Sequence, residues 1–199
     1  MQMYRREHYL AKLRPFYDDA GLIKVVTGIR RCGKSSLLCS VMDELWERGV
    51  AEGNICYINL DRREYQDVNT PEKLDAVIEH SLGKSASMRY LFIDEIQNVK
   101  GYETIVNGWR EEGDCSIFIT GSNSYLLSGE LATKLTGRYI ELEMFTLSFN
   151  EYLGMREYLG LPKKSRNRRF SKNISPMEGS RRRWNMRILM RKPCISKMS

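Results

Sequence analysis

The sequence predicts an α/β fold of three layers, α/β/α, in which helices cover both faces of a mainly parallel, five-stranded sheet. Short, mostly apolar segments alternate along the chain with segments of helical period. That alternation is typical of parallel sheets whose strands are buried on both faces. Polar residues and glycines follow directly after most of the apolar segments. In such a fold they lie at the carboxyl edge of the sheet, where ligands bind.

The predicted helices have apolar residues at helical spacing and recognisable signals at their ends. Pro15 stops the first helix and Gly49 ends the second. The third has Thr70 as its N-cap and Pro71 at its first position. The four helices are predicted at Tyr4–Arg14, Ser35–Arg48, Pro71–Leu82 and Tyr102–Glu112.

The predicted strands are short runs rich in β-branched and aromatic residues. A polar loop, Asp61–Thr70, separates the second strand from the third helix. The five strands are predicted at Leu22–Thr27, Ile55–Leu60, Tyr90–Ile93, Ser116–Thr120 and Arg138–Leu142.

Charge divides the chain into two parts. The net charge of +7 is the sum of −5 over residues 1–162 and +12 over residues 163–199. The first part has the length and composition of one globular domain. The second is a basic segment without apolar period, which we expect to be a disordered tail. It is either a solvated tail or an arm that binds nucleic acid, and only this segment supports a nucleic-acid partner.

The sequence contains no targeting or membrane segment that we can recognise. No apolar run approaches the ~18 residues that span a bilayer. The first residues lack the apolar core and cleavage site of a signal peptide. The five cysteines form neither a CxxC pair nor a regular framework. We therefore expect a cytoplasmic protein without a membrane partner.

The segment GIRRCGKS, at residues 28–35, fits the phosphate-binding P-loop pattern G-x-x-x-x-G-K-[ST]. It lies between a predicted strand and a predicted helix, the context in which backbone N–H groups and the helix dipole can hold a phosphate. Lys34 would reach the β- and γ-phosphates, and the Ser35 hydroxyl would ligate Mg²⁺. The predicted nucleotide-binding residues are Gly28, Arg31, Gly33, Lys34, Ser35 and Ser36.

The third predicted strand ends in two acids. Asp94 matches the Walker B carboxylate, which holds Mg²⁺ largely through water. Glu95 follows directly and could act as the general base for the attacking water. A whole strand and helix separate this motif from the P-loop, which implies an inserted strand between the two motif strands. Such an insertion favours ATPases with a catalytic glutamate over GTPases, and no NKxD guanine-binding motif is present.

Two further positions are candidates for catalysis. After the fourth strand, Asn123 or a neighbour could hold the attacking water or the γ-phosphate, or it could instead cap the next helix. Arg138 could stabilise phosphoryl charge, in its own chain or across a subunit boundary. It could equally be a surface arginine that is paired with Glu141 or Glu143.

Residues 4–153 resemble the AAA-type P-loop ATPases of bacteria and archaea that carry a C-terminal domain of unknown function. The matching blocks are GIRRCGKSSLL, YLFIDEIQNV, ITGSNSYLLSGELA, LTGRYIEL and FTLSFNEYL. The resemblance implies that the chain binds Mg-ATP and hydrolyses ATP. Enzymes of this class often need a neighbouring subunit or domain to complete the site, so a homo-oligomer is one expected arrangement. It also assigns Asn123, with Ser122, to a sensor position.

The tail departs from this family. With codons chosen freely, the frame that starts at the third base of each codon of Ser171–Met198 can encode QKYLPDGGLPQALEYEDLDEKALYIQNV. That stretch is acidic and resembles the family's continuation. We hypothesise that a frameshift near residues 163–170 replaced the C-terminal domain by an unselected tail.

Overall fold

A computed structural model describes residues 3–82, 85, 87–122, 135 and 137–161. The chain divides into two units, Met1–Met155 and Arg156–Ser199, and the sheet lies in the first. The predicted boundary between residues 162 and 163 stays a prediction. In the described residues the helices are α1 (Glu7–Leu13), α2 (Lys34–Glu47), α3 (Pro71–Ser81), α4 (Tyr102–Glu111) and α5 (Phe149–Tyr158), and the strands are β1 (Ile23–Gly28), β2 (Ile55–Asn59), β3 (Arg89–Asp94), β4 (Cys115–Gly121) and β5 (Tyr139–Met144).

All five strands run parallel, in the order β2-β3-β4-β1-β5. The predicted fold class is therefore confirmed. The strand inserted between β1 and β3 is β4, whereas β2, which lies between them along the chain, forms an edge of the sheet. The sequence argument correctly implied an insertion but connected it with the wrong strand, because order along the chain is not order in the sheet.

Helices α3 and α4 cover one face of the sheet. Leu74 and Ile78 of α3 belong to a single buried cluster with Val106 of α4 and the strand residues Ile93 and Ile119. Helix α2 covers the opposite face, where Phe92 and Phe118 stack with ring centroids 4.7 Å apart, and α1 packs against α2. Side chains of successive strand residues point to opposite faces, so both faces need apolar residues, which explains the nearly continuous apolar strands.

The predicted helices are confirmed, with shifts at their ends. The apolar stripe of α2, from Leu37 to Leu45, is buried as expected. Helix α1 is shorter than predicted, because it starts after Arg6 and passes at Pro15 into a 3₁₀ turn. No helix among the described residues is long and apolar enough to cross a membrane.

Lys24, the second residue of β1, is fully buried. Its ammonium group donates to Asp19 O, Leu22 O and Ser116 Oγ, the last at 2.7 Å, and lies 4.8 Å from the centre of the Phe118 ring. Burial lowers the pKa of Lys24 from 10.5 to about 8. The fold therefore holds a cation at some cost in stability at neutral pH.

Between pH 8 and pH 10.5 the unfolded chain holds the Lys24 proton and the folded chain does not, so this residue makes stability rise with pH. Replacing it by Met removes that contribution. From pH 7 to pH 10.5 the parent should therefore gain about 3 kcal/mol in unfolding free energy relative to the Lys24→Met variant. Urea titrations at several pH values measure it, and Lys12→Met, at an exposed lysine of α1, is the control. A pH-independent difference for Lys24→Met would contradict the prediction.

Candidate nucleotide-binding site

The loop between β1 and α2 is the segment for which the sequence predicts phosphate binding, and it is called the phosphate loop below. Gly28 has a φ of +152° and Gly33 a φ of +107°, conformations that favour glycine. A Cβ atom on Gly28 would lie 2.5 Å from Met144 O and 2.7 Å from Cys32 Sγ. The pattern therefore has glycine at Gly28 because neighbouring atoms leave no room for a side chain.

Helix α2 starts at Lys34, and no side-chain hydrogen bond from the described residues caps its first turn. Its first N–H groups and its positive dipole end are thus directed at the loop. The Lys34 side chain is 4% exposed, and its Nζ donates to Gly28 O at 3.1 Å. Ser35 and Ser36 follow in the first turn and are half-buried.

Asp94, at the end of β3, is fully buried and hydrogen-bonded on both carboxylate oxygens. Oδ1 accepts from Thr120 Oγ1 of β4. Oδ2 accepts from Tyr57 OH at 3.1 Å and Asn59 Nδ2 at 3.2 Å, both on β2. Three neighbouring strands therefore hold this carboxylate in place.

Glu95 leaves the strand in a left-handed conformation, with a φ of +60°. Its N–H donates to Thr120 Oγ1 at 3.0 Å, and one carboxylate oxygen accepts from Gln97 Nε2 at 2.5 Å. The other oxygen lies 3.5 Å from Lys34 Nζ. Backbone strain of this kind is concentrated at functional sites. The carboxylate is thus held at the phosphate loop.

Sequence reasoning missed Tyr57, Asn59 and Gln97. The alternation along β2 indicates Tyr57 and Asn59, because they are the two half-buried polar residues of a strand that is otherwise buried. Thr120, near the end of β4, donates to Asp94 and accepts from the Glu95 backbone. No pattern in the sequence indicates Gln97.

Arg138 does not reach the phosphate loop of its own chain. It precedes β5 and donates its N–H to Leu135 O, and its carbonyl accepts from Ile23 at the start of β1. Gly28 lies at the other end of that six-residue strand, about 20 Å away. The version of the Arg138 prediction that acts within one chain is therefore wrong, because a parallel strand separates the two residues.

Arg138 does not form the predicted surface ion pair with a described glutamate. Glu141 accepts from Thr27 Oγ1 at 3.0 Å, whereas Arg138 is exposed and forms no ion pair with a described residue. Arg31 is exposed and has a φ of +69°. Asn123 lies outside the described residues.

Gly28→Ala should destabilise the protein by about 2 kcal/mol or more, because the added methyl group collides with backbone and the φ of +152° is unfavourable for alanine. The matched control is Gly108→Ala in α4, where nothing lies within 4 Å of the new Cβ atom. Helix propensity predicts that this control stabilises the protein by up to about 1 kcal/mol. Urea unfolding followed by circular dichroism measures both, and a Gly28→Ala protein as stable as the parent would refute the reasoning.

The AAA_14 family, described as an AAA domain, matches residues 21–153. An uncharacterised protein of Haemophilus influenzae is 46% identical over 151 residues, which are 76% of this chain and 38% of the relative. An uncharacterised protein of Methanocaldococcus jannaschii is 33% identical over 136 residues, 68% of this chain and 29% of the relative. This chain therefore spans less than two fifths of the length of either relative.

Solved structures share the fold at low identity. The structure of ORC1 from Aeropyrum pernix in complex with DNA has a TM-score of 0.60 at 14% identity, covering 80% of this chain and 50% of that one. The structure of Hsp104 with ATPγS and FITC casein has a TM-score of 0.51 at 15% identity, covering 78% of this chain and 29% of that one. The chain thus belongs to the AAA_14 family of AAA domains and has the nucleotide-binding fold of AAA-type P-loop ATPases.

Proposed function

We propose that this protein binds Mg-ATP at the loop between β1 and α2 and hydrolyses it. The observation that carries the proposal is the meeting of Lys34 and Glu95, 3.5 Å apart, at the start of α2. A buried lysine, a strained glutamate and an aspartate fixed from three strands converge at one edge of the sheet. Structural packing alone does not require that combination.

The residues present fit a nucleoside triphosphate with bound Mg²⁺. The loop has no room for side chains at Gly28, and the first turn of α2 is free of side-chain caps among the described residues. An anion is favourable at such a helix start. The oxygen ligands that Mg²⁺ prefers are available in Ser35 and Asp94. ATP is favoured over GTP because the chain has no NKxD motif.

In the proposed reaction Lys34 moves from Gly28 O and Glu95 to the β- and γ-phosphates. Ser35, through its hydroxyl, and Asp94, whose oxygens are already hydrogen-bonded, are the residues that would hold the metal. When bound, the metal would supply positive charge that offsets the charge on the phosphates. Glu95, freed from Lys34, accepts the proton of the attacking water on its carboxylate.

Completion of the site by a second copy is part of the proposal. Arg138 is exposed and about 20 Å from the loop of its own chain, so it can serve only the loop of another subunit. Asn123 keeps its proposed role at the attacking water. The related fold of Hsp104 was solved with ATPγS, which supports ATP as the nucleotide.

Two variants test the site. Lys34→Ala should weaken ATP binding at least about tenfold, because the phosphates lose their cation. Glu95→Gln should keep binding and lose turnover by about a hundredfold or more, as expected for a lost general base. Fluorescent-nucleotide titration and phosphate release measure these effects. Lys12→Ala and Glu79→Gln, at exposed residues of α1 and α3, are the controls. Unchanged ATP affinity in Lys34→Ala would refute the site.

The tail at residues 163–199 has two proposed explanations, a frameshift product and a nucleic-acid arm. The family match ends at residue 153, before the tail begins, and is compatible with both explanations. Sequencing the gene distinguishes them. We expect the alternative frame to continue with the GGLP stretch and without stop codons. Stop codons there would end the frameshift hypothesis and leave the solvated tail and the arm. Only the arm predicts DNA binding, which should decrease steeply with salt and disappear in residues 1–162.

A further inference from the structure

Arg6 lies just before α1, far from the nucleotide motifs in sequence, and yet it is only 8% exposed. Its backbone carbonyl accepts from Tyr9 and Leu10, which fixes the residue at the start of the helix. Its guanidinium group lies 4.5 Å from the centre of the Tyr9 ring. A buried arginine in such a place needs several acceptors to replace water.

Those acceptors come from two different parts of the chain. Nη1 donates to Cys32 O at 3.0 Å, in the phosphate loop, and to Phe145 O at 2.8 Å, directly after β5. Nε donates to Glu151 of α5 at 2.7 Å, and Nη2 to the same carboxylate at 3.2 Å. One planar group therefore connects the loop to the segment Phe145–Glu151.

The sheet explains why the two parts are neighbours. Gly28, at the end of β1, pairs with Met144, at the end of β5. The phosphate loop and the segment Phe145–Glu151 therefore leave the sheet side by side. The Phe145 N–H also donates to Tyr9 OH at 3.0 Å, so both backbone groups of Phe145 are held from the start of the chain.

Glu151 is built as the counter-charge of Arg6. Burial raises its pKa, but hydrogen bonds from Arg6 and Ser148 outweigh that effect and hold the pKa at about 2. His8 Nδ1 lies 3.5 Å from the same carboxylate. Glu151 therefore stays ionised at physiological pH and the pair with Arg6 persists.

We propose that Arg6 is a positioning residue that couples the phosphate loop to the segment Phe145–Glu151. The proposal rests on the proposed binding of ATP. Cys32 directly precedes Gly33 and Lys34, so its carbonyl sets the direction of the peptide that enters the first turn of α2. Loss of the arginine frees that carbonyl and the segment together. By reciprocity, nucleotide at the loop must stabilise the segment as much as the segment favours nucleotide.

The test measures ATP affinity and thermal stability in the full chain. Arg6→Lys keeps the charge but cannot span all the acceptors, so ATP affinity should fall about tenfold, within the usual range of coupling between sites. The matched control is Arg14→Lys, which changes an arginine that pairs with Glu7 and Glu44 and has no contact with the loop. The control should lower the melting temperature and leave the ATP affinity of the folded protein unchanged.

A second measurement uses the unaltered protein and does not depend on a variant that folds. Saturating Mg-ATP should slow amide hydrogen exchange in residues 145–151 and leave exchange in α3 unchanged. If the parent binds no ATP, the proposed function fails. If the parent binds ATP but Arg6→Lys binds equally well, or residues 145–151 gain no protection, the coupling by Arg6 is refuted while the nucleotide site stands.

Discussion

The candidate site depends on one buried carboxylate. Asp94 has no exposed surface, and a charge in such a position is tolerated only when hydrogen bonds replace its water. Those bonds come from Thr120 on β4 and from Tyr57 and Asn59 on β2, the strands on either side of β3. The pairing of β2, β3 and β4 therefore places three hydrogen-bonding side chains around this one carboxylate. Since Thr120 also accepts from the Glu95 backbone, the same arrangement sets the direction in which the chain leaves β3.

The parallel sheet turns this local arrangement into a site. Lys34 enters from the helix after β1, and β4 lies between β1 and β3. Because all the strands end at one edge, groups from distant parts of the chain meet there without long loops. The contact of Lys34 with Glu95 crosses the width of one strand, so a correct β3–β4–β1 order is a condition for the site.

The sequence was sufficient to predict the fold class and the position of the glycine-rich loop between β1 and α2. Both depend on local patterns: the alternation of strands with helices, and glycines at positions where the backbone has a φ that other residues avoid. Arg6 could not be identified in this way. Arg6 matters because it donates to the carbonyl groups of Cys32 and Phe145. Every residue has a backbone carbonyl, so the sequence does not show which carbonyls are acceptors. Asn59 and Tyr57 are intermediate cases, because strand alternation indicates their face but not their partner.

The prediction that Arg138 acts on the loop of its own chain was wrong, and the reason affects how copies of the chain could assemble. The sequence places it next to a strand, but only the direction of that strand shows that it lies at the amino edge, whereas Lys34 and Glu95 lie at the carboxyl edge. The two edges of a parallel sheet are chemically different surfaces. If Arg138 completes a site, the amino edge of one copy must meet the carboxyl edge of another. A head-to-tail contact of this kind repeats into a ring or a filament, whereas a two-fold dimer meets the same condition only if each copy gives its Arg138 to the loop of the other.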